Sequence, residues 1–412
     1  MVVSDTWLIN EINKAQDLIC GNIDVFGLER YDPRDFDTIC SYFKHNNRTS
    51  YIGLKIIESF FPVWLRKKNN IKKSYFPTTY YLLADSCLES DKVGKKLRMN
   101  YNALSLIQEM LVRYYEGNGL WNYKANEKFY VIKTNHNPSM PLYGLARCNI
   151  LLLKAANYYN VPEFELISNN SLEKLLFQHQ IRKYDDGSYY VSYYYNSSDC
   201  TLNVNAELLE WISKSNWELM PDNAKKLFHG IISLLVNQQN ADGSWPYFSK
   251  EHMNLYHLKP SIDCHHTGSV IANLINVYNS EKCSEEEKES LKMAIVKGLD
   301  FYYSYFFNSK NGKGITEIGK KRKASTVQYS EALSSFSSAI GSRWLISSEK
   351  YHKYIDLSRL IAKQLLQLIR PDGSAPGDRI VNPVNINSIN WGNGAALWAL
   401  TRFKSQLVNC FD

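Results

Sequence analysis

Residues 237–278 read NQQNADGSWPYFSKEHMNLYHLKPSIDCHHTGSVIANLINVY. A helix ends at Asn240-Ala241-Asp242-Gly243, where Gly supplies the positive φ that a helix stop requires. A second helix opens near Thr267, because Val270, Ile271, Leu274, Ile275 and Tyr278 recur at helical period. Between them lies a loop of roughly 20 residues, long enough to imply a task of its own. It holds the densest chemistry in the chain: Trp245, Tyr247, His257, Asp263, His265 and His266.

The same arrangement recurs on both sides of this stretch. Helices end in glycine turns at Gly117-Asn118-Gly119-Leu120-Trp121, Asp186-Gly187-Ser188-Tyr189, Asp242-Gly243-Ser244-Trp245, Asn311-Gly312-Lys313-Gly314 and Asp372-Gly373-Ser374-Ala375. The turns are about 55 to 70 residues apart, a period that fits two helices and two connections. After each turn and a loop comes an apolar helix: Leu142 to Tyr158, Val204 to Ile212, Thr267 to Tyr278, Tyr329 to Ile340 and Trp391 to Phe403. Several are rich in Ala, Ser and Gly, which lets helices pack closely. Intervening segments such as Glu285 to Tyr305 and Lys350 to Ile369 are amphipathic with charged faces, as an outer layer should be. Tyr189 to Tyr195 reads as a short strand or hairpin arm.

These features predict an all-α fold, an α/α toroid: a barrel of helical hairpins with parallel inner helices starting near 142, 204, 267, 329 and 391. An open solenoid of helix pairs is the structural alternative. The chain is expected to form one toroid domain over 1–412, with 1–100 its less regular part. Helices are expected there at Ile9 to Ile19, Ile52 to Trp64, Thr78 to Ser86 and, just beyond, Ala103 to Tyr115. Gly243 is expected at positive φ, with Trp245 packed between neighbouring hairpins.

Composition sets limits on function. Of 412 residues, 44% are hydrophobic and 22% charged, the balance of an ordinary globular protein. The 29 Tyr, 17 Phe and 9 Trp fit either a packed core or a sugar-stacking groove. The net charge of +7 includes runs at Arg66-Lys67-Lys68, Lys72-Lys73 and Lys320-Lys321-Arg322-Lys323. These attract anions, whether an acidic polysaccharide, a nucleotide-linked sugar or a membrane surface. No basic helix, zinc finger or RNP-like signature points to nucleic acid. The eight Cys are scattered without a CxxC. The N-terminus lacks a signal-peptide pattern and no apolar run reaches transmembrane length, so a cytoplasmic location is expected.

If the inner helices are parallel, their N-termini and the loops leading into them meet at one mouth of the barrel. The residues there are polar: His136 and Asn137; Asp199, Asn203 and Asn205; Asp263, His265, His266 and Thr267; Gln328 and Glu331; Asn390, Trp391 and Asn393. Helix N-termini add free N–H groups and partial positive charge, suited to an oxygen-rich or anionic ligand. Asp263, His266 and His265 are the candidate catalytic residues, since an Asp can fix the tautomer of a His that moves protons. Asn203, Asn205, Asp199, Tyr247, Gln328, Glu331, Trp391 and Asn393 are the candidate substrate-binding residues. Asp199, Asn203, Asn390, Asp263 and Thr267 also fit simple helix caps. Without an HExxH or a His pair at i,i+4, no metal site is expected, and no cofactor.

Gln238-Gln239-Asn240-Ala241-Asp242-Gly243-Ser244-Trp245 resembles the QxxDGSW-type turn of the terpenoid-cyclase and protein-prenyltransferase toroids. The DxDD acid of class II cyclases is missing, and Asp263-Cys264-His265 has the wrong spacing for the prenyltransferase zinc site. A closer resemblance, over most of the chain, is to bacterial toroid proteins of capsule and exopolysaccharide loci. It rests on Tyr31-Asp32-Pro33-Arg34-Asp35, Asn203-Val204-Asn205-Ala206, Gln239 to Tyr247, Asp263-Cys264-His265-His266-Thr267-Gly268, Gly298 to Gly312, Trp391 and Trp398. The D-x-x-H-T-G element prominent in that group falls on Asp263 and His266. The chain departs from the group's pattern at Ile262, near which an aromatic is expected, and at Asn390, where an Arg is expected before Trp391.

The resemblance implies a toroid acting on an oligo- or polysaccharide or a lipid-linked sugar, in peripheral association with a polysaccharide-assembly complex. The expected function is surface-polysaccharide biosynthesis or modification, with lyase, epimerase and glycosidase chemistry all open. On a uronate, a Tyr or His would take the C5 proton. Hydrolysis would draw on Asp199, Asp263 and Glu331. Two other classes compete: an isoprenoid-handling toroid, which needs an apolar, aromatic-walled cavity, and a non-catalytic scaffold, in which the polar helix starts would not converge.

Overall fold

The computed structural model describes residues 5–31, 48–122, 140–195, 197–320, 322–342, 345–377 and 387–409. Asp32-Pro33-Arg34-Asp35 of the resemblance and the candidates His136 and Asn137 lie outside them. The helices, in chain order, are α1 (Asp5–Phe26), α2 (Arg48–Phe60), α3 (Pro62–Lys68), α4 (Pro77–Lys92), α5 (Ala103–Tyr114), α6 (Leu142–Tyr159), α7 (Pro162–Gln178), α8 (Leu202–Lys214), α9 (Asp222–Gln238), α10 (Lys250–Leu255), α11 (Cys264–Tyr278), α12 (Glu285–Phe306), α13 (Thr326–Gly341), α14 (Ser348–Leu368) and α15 (Gly394–Asn409). Two small antiparallel hairpins punctuate them: β1 (Tyr115–Gly117) with β2 (Leu120–Trp121), and β3 (Ile181–Lys183) with β4 (Tyr189–Val191).

Helices α4, α6, α8, α11, α13 and α15 each pack on the next, and α15 packs back on α4. The inner layer is therefore a closed ring, and the open solenoid is excluded. Outside it, α5, α7, α9, α12 and α14 each cover the inner helix they are paired with in sequence, and α1 covers α15. The first and last described helices thus make the hairpin that closes the barrel. Arg359 of α14 ties Asp5 into this seam with two hydrogen bonds of 2.6 and 2.7 Å.

The inner helices are parallel, because residues at equal depth meet. Arg147, Glu207 and Ser269 each stand five residues beyond the first residue of α6, α8 and α11. Arg147 and Ser269 both bond the Glu207 carboxylate. At the other end Asn279 bonds Ser342, and each is the C-cap of its inner helix.

The glycine turns lock the outer layer. Gly243 has φ +93°, and a Cβ there would stand 2.3 Å from the Lys297 carbonyl oxygen of α12, so only glycine fits. Ser244 N–H donates to Asp242 Oδ1, an Asx turn repeated at Asp186 and Asp372. Trp245 is buried, donates to the Leu235 carbonyl of α9 and lies against Gly298 of α12, which joins two neighbouring hairpins.

One inner helix was not expected. Helix α4 is an inner wall that the repeat pattern did not include. The other inner helices begin within three residues of the expected starts, the last at Gly394 after a π-type turn (Ile389–Asn393) in which Gly392 is non-helical.

Candidate active site

The α11 start is held from three sides. Asp263, extended at φ −118° and ψ 158°, caps the helix by accepting the His266 N–H at 2.9 Å. Tyr302 of α12 donates to the Cys264 carbonyl at 2.9 Å. Gly268 lets α12 and α13 close in: a Cβ there would lie 2.6 Å from Tyr302 Oη and 3.0 Å from Glu331 Cγ. The two histidines that follow the cap are therefore fixed in place by backbone as well as side chain.

Each imidazole has its own carboxylate. His266 Nδ1 is 2.6 Å from Asp263 Oδ2, so Asp263 is both cap and tautomer lock. That leaves Nε2 of the half-exposed His266 as the face that can exchange a proton. His265 Nδ1 stands 3.4 Å from Glu331 Oε2, an ion-pair distance without hydrogen-bond alignment. Burial works against a charged His265, but Glu331 and then Asp263 outweigh it and hold this imidazole above its usual range. Burial likewise opposes ionisation of Asp263 and Glu331, yet their histidine partners hold both below the usual carboxylate range. The two rings are 5.0 Å apart, with Tyr247 edge-on to His266 at 4.5 Å and Trp391 6.4 Å from His265. Asp263, His265, His266, Glu331, Tyr247 and Trp391 are thus one constellation.

The other candidates are placed apart from it or tied into the scaffold. Asn205 is fully buried, and its amide holds the Val191 N–H and carbonyl and the Thr201 carbonyl, anchoring β4. Asn393 donates to Asn22 of α1, a link across the closing seam. Gln328 completes a capping box with Ser325. Asp199 is partly exposed and lies 3.7 Å from His252. Asn203 is buried one helical turn above Glu207 on α8, and its Oδ1 has no partner among the described residues. Asn390 accepts from Thr79 at 2.5 Å, which ties the turn before the last inner helix to α4.

Below the mouth the barrel axis is charged, and sequence reading missed this. Arg147 bonds Glu207 at 2.7 and 3.0 Å and lies over the rings of Tyr81, Tyr143 and Trp398. Burial opposes its charge, but Glu207 chiefly and the nearby tyrosines push the guanidinium further up. One layer deeper, fully buried Asp85 takes Lys154 at 2.7 Å, the Trp398 indole N–H at 2.8 Å and Arg402 at 3.5 Å. The signal available in sequence was charge set among the apolar residues of inner helices: Asp85, Arg147, Lys154, Glu207 and Arg402. Residues of this kind are almost never buried unless paired.

No family model and no curated protein matches the sequence. Among solved structures the chain is similar to a sugar epimerase from a ruminal bacterium, with TM-score 0.61 and 11% identity over 82% of this chain and 88% of that one. It is similar to the GH76A alpha-1,6-mannanase of Salegentibacter sp. HEL1_6, with TM-score 0.60 and 8% identity over 98% of each chain. A polysaccharide lyase gives TM-score 0.55 and 11% identity over 87% of this chain and 96% of that one. The chain therefore has the α/α-toroid fold on which these carbohydrate-active enzymes are built.

Proposed function

We propose that the protein is a carbohydrate-active enzyme that moves a proton at a sugar carbon, as an epimerase or a lyase does, with His266 and His265 as its acid/base groups. The observation that carries this reading is the pair of adjacent imidazoles, each backed by a carboxylate. Asp263 orients His266 so that Nε2 can take a proton from a carbon made acidic by a neighbouring carbonyl or carboxylate. His265, whose protonated form Glu331 favours, donates to the oxygen on which charge develops. Tyr247 and Trp391 offer flat faces for a sugar ring. The likeness to an epimerase, a mannanase and a lyase supports the substrate class through the fold alone.

Hydrolysis fits less well. It requires two carboxyl groups free to flank the glycosidic bond, whereas Asp263 and Glu331 are each engaged by a histidine and Asp199, beside His252, stands apart from them. The isoprenoid alternative needs an apolar cavity, and the barrel axis is instead lined with Arg147, Glu207, Asp85, Lys154 and Arg402. The setting we assign is assembly or modification of a surface polysaccharide, on an oligosaccharide, polysaccharide or lipid-linked sugar.

The test is deuterium exchange. Purified protein in heavy water, given reducing oligosaccharides and uronate-containing oligomers, should place deuterium at a ring carbon or release an unsaturated sugar, both visible by NMR. Cleavage to saturated fragments without exchange at carbon would contradict the proton-transfer reading and favour a hydrolase.

A further inference from the structure

The charge of the chain is concentrated in one place. Residues 48–73 contain Arg48, Lys55, Arg66, Lys67, Lys68, Lys72 and Lys73 against one acid, Glu58, so seven minus one gives +6. The whole chain is +7, which leaves +1 for everything else. Glu58 is itself buried and neutralised by Arg66 through bonds of 2.9 and 3.1 Å. Lys67, Lys68, Lys72 and Lys73 are exposed.

The same segment carries the densest exposed apolar surface among the described residues. Helices α2 and α3 form a hairpin whose inner side has its own small core, Leu65 with Leu54, Ile57 and Ile71, separate from the core of the barrel. The outer side presents Ile52, Ile56 and Phe60 at helical spacing, followed by Phe61 and Trp64. Phe60 is 73% exposed, Phe61 63% and Trp64 55%. An amphipathic helix pair with aromatics on one side and lysines beside it suits the boundary between lipid headgroups and acyl chains. No helix among the described residues is long and apolar enough to cross a membrane, so this would be surface attachment.

We propose that the α2–α3 hairpin with Lys67, Lys68, Lys72 and Lys73 docks on an anionic phospholipid bilayer. Charge complementarity selects the occupant. A nucleic acid would pair the lysines and leave the Phe60, Phe61 and Trp64 face in water, whereas a headgroup layer accepts both at once. The hairpin leads into α4, whose N-terminus lies at the mouth of the barrel. The bridge between Arg30 and Ser74, and the Arg113 guanidinium 3.4 Å over the Tyr75 ring, hold this connection to the ring. Docking would therefore turn the rim of the mouth toward the membrane. The proposal is independent of the chemistry assigned to the histidines.

The experiment is co-sedimentation of the full chain with vesicles of phosphatidylcholine alone or mixed with phosphatidylglycerol. Binding is expected to the mixed vesicles only, and to weaken as salt is raised. Reversing Lys67, Lys68 and Lys72 to Glu should lower the partition coefficient on the order of 100-fold. The triple change Phe60→Ser, Phe61→Ser and Trp64→Ser should lower it by about tenfold or more. Both variants should keep the wild-type circular dichroism and Tm, since the changed side chains are exposed and the Leu65 cluster is untouched. Absence of binding to the mixed vesicles, or equal binding by the variants, would overturn the proposal. So would a dimer, seen by light scattering and abolished by the apolar triple change, in a protein with no vesicle affinity.

Discussion

The mouth of the barrel and its axis are built from the same materials, on the same inner helices, within a few residues of depth. On the axis, Asp85 is fully buried and accepts from Lys154, Arg402 and Trp398, while Glu207 receives both Arg147 and Ser269. At the mouth, Asp263 and Glu331 each meet one imidazole, and the partly exposed His266 has no hydrogen bond to Nε2 among the described residues. Saturated pairs specify how helices pack, whereas a pair with a free valence and access to solvent can do chemistry. Glu331 stands five residues into α13, the same depth as Glu207 in α8, so the number of partners and the access to solvent, rather than residue type or depth, distinguish the two settings.

The largest effect should come from breaking the axis. Glu207→Ala leaves the Arg147 guanidinium buried without its partner, which typically costs about 3–5 kcal/mol. A denaturant melt should show it, and a loss under 1 kcal/mol would mean that water reaches the pair. Trp245→Ala should cost a comparable ~3–5 kcal/mol, because the indole fills the contact between α9 and α12 and donates to Leu235. A variant with unchanged Tm would place Trp245 outside the core.

The pairs at the mouth should instead appear in the pH dependence. His265 is raised above 6.5, so its pairing with Glu331 stabilises the fold fully below that value and is lost as pH rises through the raised pKa. Asp263 and Glu331 are depressed below 3.8 and 4.5, so their contributions are present above those values and are lost as pH falls through the lowered ones. The Tm difference between wild type and His265→Gln should therefore be greatest between these limits and shrink toward alkaline pH. A difference that does not change with pH would show that Glu331 and His265 are not an ion pair.

How much of this was legible in the sequence follows the range of each interaction. The helix starts near 142, 204, 267 and 329 were readable within a few residues, since caps and apolar stripes are local signals. The Ser325-x-x-Gln328 capping box is equally local in sequence, and it engages the Gln328 side chain at the helix start. Asn205 and Asn393 are engaged further off: each bonds partners 14 or more positions away. The place of α4 in the ring, the closing role of α1, and the Asp85–Lys154–Arg402 and Arg147–Glu207 clusters join residues that only the closed barrel brings together. The Asp263–His266 contact was legible because cap, histidine and helix start all fall within four consecutive residues.

The central claim is that the mouth acts and the axis holds. The most direct measurement compares His266→Ala with Glu207→Ala, scoring Tm and turnover together on a saccharide that the wild type converts. His266→Ala should lose roughly 10²–10⁴-fold in kcat while its Tm stays near wild type, because the Asp263 cap on the backbone N–H remains. Glu207→Ala should lose several degrees or more of Tm. A His266→Ala protein that retains turnover, or melts as early as Glu207→Ala, would contradict the account.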